Sequence, residues 1–147
     1  MRNSGILKIA VLLMTVLSVV ACNKDDDSFA RVTVNGTLLV GDRSDFNGDI
    51  DASFTGNGGS ASRSFIWNNN LNTADYNADI TTATEGTFRM IVEDSEGTIV
   101  LDRSIDGSTD TDTIGGVTSQ GASGIWTVTI QVTDLNGDGS FSLSEGN

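Results

Sequence analysis

Twelve residues near the C-terminus, Asp134-Leu135-Asn136-Gly137-Asp138-Gly139-Ser140-Phe141-Ser142-Leu143-Ser144-Glu145, set oxygen-bearing side chains at alternate positions around glycines. They match the calcium-loop pattern D-x-[DN]-x-[DN]-G-x₅-E at every specified place. Calcium takes about six to eight oxygen ligands, and a tightly turned loop can aim alternate side chains at one ion while a glycine permits the bend. Asp134, Asn136, Asp138 and Glu145 are therefore the metal candidates, and Ca²⁺ is the one cofactor the motifs point to; none is required. The flanks depart from a helical calcium hand, because a strand-like run precedes the pattern and Phe141 occupies a place usually held by an aliphatic residue. The same residues also read as a plain β-hairpin, with Asn136-Gly137-Asp138-Gly139 as the turn and Phe141 and Leu143 returning to the core. A shorter cousin, Asp45-Phe46-Asn47-Gly48-Asp49-Ile50-Asp51, reads as a polar turn.

Other chemistry is sparse. The chain has no histidine, which removes Ser-His-Asp and Cys-His catalysis and the usual zinc sites. Lysine occurs only at positions 8 and 24, and no Gly-rich phosphate loop is present. The four glutamates form no recognisable glycosidase pair. No catalytic residue is assigned, and a non-enzymatic role is expected. Trp67 and Tyr76 are the aromatic residues that could stack on a sugar ring, with burial in the core as the competing reading, whereas Trp126 alternates with Val128 and Ile130 and belongs to the core.

The N-terminus carries an address. Arg2 and Lys8 precede an uncharged apolar run, Ile9 to Ala21, in the layout of a secretory signal. The run is short of the roughly 20 apolar residues of a permanent membrane helix. It ends Leu17-Ser18-Val19-Val20-Ala21-Cys22, and Cys22 is the only cysteine. This resembles the lipobox of bacterial lipoproteins. The resemblance implies cleavage before Cys22 and acylation of that residue by palmitate-type chains. Asn23-Lys24-Asp25-Asp26-Asp27-Ser28 follows directly, and Lys24, Asp25, Asp26 and Asp27 resemble the acidic export signal of Bacteroidota-type surface lipoproteins; a solvated spacer is the alternative. The resemblance covers residues 1–28 and implies outer-membrane anchoring with the domain facing outward. Asp112-Thr113-Ile114 resembles the O-glycosylation sequon of the same group, which would make Thr113 a modification site.

Expected organisation is thus a signal peptide over 1–21, a lipidated cysteine and acidic tether over 22–28, and one domain over 29–147. Cleavage removes two basic residues and no acidic one, so the mature chain is more negative than the −12 of the full sequence. Nucleic acid is excluded as a partner, since phosphate binding needs clustered Lys and Arg. The partners implied are a membrane, through the lipid, and a surface glycan or envelope protein.

The elements that must position these residues read as strands. Ile125 to Thr133 alternates Trp126, Val128, Ile130 and Val132 with polar residues. Thr87 to Glu93 alternates likewise, and Thr98 to Ile105 follows an Asp94-Gly97 turn. Asn35-Gly36 joins Arg31–Val34 to Thr37–Val40 as a hairpin, because both turn residues must take positive φ. Further strands are predicted at Ile50–Thr55, Ala61–Trp67, Asp75–Thr82, Thr111–Val117 and Ser140–Leu143, with mobile surface loops at Gly56–Ser62 and Asn68–Asn72. The fold class is all-β: an antiparallel β-sandwich, Ig-like or jelly-roll-like, of 8–10 short strands. The mature domain is large enough to bury a single core without disulfides.

Overall fold

A computed structural model describes residues 27–41, 44–109 and 112–147. Cys22, Lys24, Asp25 and Asp26 lie outside these residues; Asp27 lies within them and is exposed. Eight strands follow in order: β1 (Ala30–Val34), β2 (Thr37–Leu38), β3 (Asp45–Phe46), β4 (Ile50–Asn69), β5 (Ala74–Glu93), β6 (Ile99–Asp106), β7 (Thr113–Val117) and β8 (Gly124–Glu145). The Asn35-Gly36 hairpin forms as expected, with φ of 47° and 79° at its two turn residues.

The strands hydrogen-bond into a single sheet of order β2-β1-β4-β8-β5-β6, with β7 on β5 and the short β3 running parallel to β4. Three of them are 20 to 22 residues long, and each serves two layers. The first half of β4 pairs with the second half of β8, and the first half of β5 pairs with β8 and β7. The remaining halves pair with one another and with β6. Register shifts interrupt β4 between Asn57 and Ala61 and β5 between Ile80 and Thr87, opposite the Thr133–Gly139 stretch of β8. An extra residue on one strand of a ladder bends and twists it, and aligned bulges on three neighbouring strands fold a sheet over on itself. The result is an antiparallel β-sandwich whose layers share strands.

The packing across the layers shows the fold directly. Phe88 of the second layer stacks on Phe54 of the first, with ring centroids 4.4 Å apart, and lies 5.7 Å from Phe141. Within the second layer Trp67 and Trp126, cross-strand neighbours on β4 and β8, meet edge to face at 6.0 Å. Trp126, Val128, Ile130 and Val132 are all buried, as their alternation requires. At the end away from the bend the layers are joined by the 70–73 connection, where Asn70 bonds Glu145 and Gly146 N donates to Thr73 O.

The sequence-based outline needs three corrections. The strands are not all short, because pairs of predicted strands fuse into β4, β5 and β8. Gly56–Ser62 is not a mobile loop but the bulged middle of β4. Asn136–Gly139 is not a hairpin turn, since β8 runs through it while remaining paired on both sides. Each error has one cause. Glycine beside Asn, Asp or Ser ordinarily signals a turn, but here glycine is needed because neighbouring backbone comes too close for a side chain. A Cβ on Gly59 would lie 2.2 Å from the Phe29 carbonyl carbon, and one on Gly139 would lie 2.3 Å from both the Asp79 oxygen and the Phe54 ring.

Candidate functional site

The four metal candidates do not converge. Asp134 sits in the bend, where its backbone N–H donates to Ser60 Oγ at 2.9 Å and its Oδ1 accepts from the same hydroxyl at 3.2 Å. Glu145 lies at the far end of β8 opposite Ala74, and its Oε1 accepts from Asn70 N and Nδ2 at 2.7 and 2.8 Å. Eleven residue steps of strand separate Asp134 from Glu145, about 36 Å of chain at about 3.3 Å per step. Asn136 and Asp138 stand exposed between them, with Leu135 buried in the core. The twelve-residue coordination loop is therefore not formed, and among the described residues no group of three metal-ligating side chains gathers. The cousin segment lies at the opposite end of the sandwich from Asp134. Its Gly48 carbonyl accepts the Trp67 indole N–H at 2.7 Å.

The stacking candidates are likewise used inside the protein, which corrects their assignment to a ligand surface. Trp67 is 0% exposed and Tyr76 7%. A ring available to a sugar must present a face to solvent. The Tyr76 hydroxyl accepts from Arg103 Nη1 at 3.3 Å instead, and Gly116 passes over its ring.

Arginine is committed in the same way among the described residues. Arg89 forms an ion pair with Asp102 at 2.7 Å, which raises the Arg89 pKa and lowers that of Asp102. Arg63 donates to the carbonyls of Leu39 and Ser62, and Arg31 lies over the Phe29 ring. Asp94 is buried at the β5–β6 turn. Its carboxylate accepts N–H bonds from Ala122, Thr98 and Glu96, and these hold its pKa below the usual carboxylate range. These groups organise turns and edges.

The feature with the reach to meet a ligand is the outer face of the first layer. Because successive residues of a strand point to opposite faces, the register sets Thr33, Ser53, Ser140, Asp79 and Thr113 side by side across β1, β4, β8, β5 and β7. Asp51, Ser142 and Asn77 form the next row, and Ser144 and Asp75 the row beyond. Strands about 4.8 Å apart make the first row about 19 Å wide. Every side chain named in these rows is short and carries a hydroxyl, amide or carboxylate; on β7 the second and third rows end in Gly115 and the exposed Val117. The Thr113 hydroxyl donates to Asp79 Oδ1 at 2.7 Å and lies 3.3 Å from Asp112 Oδ1, so the proposed modification site is the exposed edge of this face. At the bend the face meets an open groove of about 630 Å³ lined by Thr81, Thr84, Thr109, Asp112 and Asn136 among others. This face went unrecognised in the sequence, although alternation such as Ser140-x-Ser142-x-Ser144 and Asp75-x-Asn77-x-Asp79 carries its signal.

No family model matches the chain, and no curated protein matches it. Solved structures with a related outline include an arabinose-bound α-L-arabinofuranosidase, at 14% identity and a TM-score of 0.38 over 65% of this chain and 19% of that one. A carbohydrate-binding module of the β-sandwich superfamily follows at 13% identity and 0.37, covering 80% of this chain and 52% of the other. The family 11 carbohydrate-binding module of a cellulosomal cellulase from Clostridium thermocellum gives 11% identity and 0.36, over 82% and 84%. The chain thus spans a minor part of the first and about half of the second.

Proposed function

We propose that this chain is a non-enzymatic lipoprotein of the outer membrane, anchored through acylated Cys22, whose sandwich serves outside the cell as a binding or envelope-structural module. The observation that carries the binding role is the register-aligned row Thr33-Ser53-Ser140-Asp79-Thr113 with the polar rows beside it. Short hydroxyl, amide and carboxylate groups at strand spacing offer many hydrogen bonds over a broad surface and little enclosure. That suits an extended, polyhydroxylated or polar partner such as an envelope glycan. The remaining chemistry supports the same division of labour, because the buried aromatics and the paired arginines already hold the fold. The lipobox ending in Cys22 and the acidic Lys24–Asp27 segment support anchoring and outward display.

The binding role is tested by placing a long cation in the centre of the face. Ser140→Arg should weaken adsorption of the protein to envelope polysaccharide at least about tenfold, the equivalent of about 1.4 kcal/mol. Ser62→Arg, on the outer face of the second layer, should leave adsorption unchanged. Both positions are exposed, so neither change should alter stability by more than about 0.5 kcal/mol. Equal adsorption of both variants and wild type would remove the face from the account.

A further inference from the structure

Exposed aliphatic side chains stand in two places on this sandwich: Leu38 and Val40, 47% and 85% exposed, at the β1–β2 edge of the first layer, and a larger group at the far end. Leu71, Ile99, Val117 and Ile125 are between 41% and 58% exposed and all stand at the end opposite the bend. The bend instead exposes Asn57, Ser60, Glu85, Asp134 and Asn136. Judged by the number of exposed aliphatic residues alone, the far end would be the one to dip into lipid.

The attachment of the chain decides otherwise. Phe29, the residue at which the tether enters the domain, is fixed at the bend: its N–H donates to Asn57 Oδ1 at 2.6 Å, its carbonyl accepts from Asn57 N at 3.1 Å, and its backbone fills the space beside Gly59. Seven residue steps separate Cys22 from Phe29, and seven steps of polypeptide span at most about 25 Å. From Leu135 in the bend to Glu145 at the far end are ten steps of strand, about 33 Å. A domain standing on its far end would hold Phe29 farther from the lipid than the chain can reach. Resting on the reading of Cys22 as the lipidated residue, we propose that the bend faces the bilayer and that the aliphatic far end, with segments 70–73, 94–98 and 118–123, is held away from it.

The test uses the lipidated protein in phosphatidylcholine vesicles that carry an energy acceptor on a lipid headgroup. Acylation occupies Cys22, so a second cysteine can take a donor dye at the bend, in Glu85→Cys or Thr84→Cys, or at the far end, in Gln120→Cys; all three positions are exposed. With the two ends about 30 Å apart along the strands, transfer from either bend position should be roughly twice that from position 120 or more. Equal or stronger transfer from position 120 in protein that floats with the vesicles would overturn the orientation alone. Failure of wild type to float would overturn the lipid anchor and the orientation with it.

Discussion

At the residue scale, the side chains with the most chemical promise are occupied in building the fold, and Asp94 shows how. A carboxylate that accepts three backbone N–H bonds favours its ionised form, and its pKa falls accordingly, led by the bond from Ala122. A folded pKa below the unfolded value, near 3.9, means the stabilisation is present above that pH and is lost as pH falls toward the folded value. Asp94→Asn keeps the shape but supplies a single acceptor oxygen. It should melt several degrees below wild type at pH 7, and the gap should narrow as pH drops below about 4. A gap constant from pH 7 to pH 3, measured by thermal melts, would remove the ionised carboxylate from the account. Sequence alone showed that Asp94 begins a turn, but not that Ala122, twenty-eight residues away, would close its hydrogen bonds.

At the element scale, alternation was the reliable signal and punctuation the misleading one. The inward faces of Trp126–Val132 and Phe88–Val92 and the Asn35-Gly36 turn were legible because each depends on residues close in sequence. The fused strands were not, because a bulge and a turn recruit the same residues. The Asp134–Glu145 segment matched a calcium loop by composition, yet its Gly139 answers to close packing against Asp79 and Phe54, and its first and last acids stand in the bend and at the far end of β8. The distinction is measurable. Gly139→Ala drives a methyl group into the Asp79 carbonyl and the Phe54 ring, and should cost about 3 kcal/mol in urea denaturation. Gly97→Ala, at a positive φ of 82° with open space around it, should cost only about 1 kcal/mol. Similar losses at both sites would mean the bend is not held by close packing.

At the scale of the whole molecule, the proposed reading joins a lipid address, a short tether and a sandwich with shared strands into one object: a polar face carried at a fixed distance from a membrane. The resemblance to a lipid address rests on residues adjacent in the sequence and can be read there, whereas Cys22 lies outside the described residues. The polar face could not be read there, because its rows exist only once five strands are in register. Attachment and display are the foundation of that proposal. The deciding measurement is metabolic labelling with a fatty-acid analogue, followed by external protease treatment of intact cells producing either wild type or Cys22→Ala. Wild type should take up label and be cleaved from outside, whereas Cys22→Ala should take up none and be lost from the membrane fraction, because a stable hold requires the acyl chains. Label retained on Cys22→Ala, or labelled wild type that resists protease on intact cells while being cleaved after lysis, would contradict it.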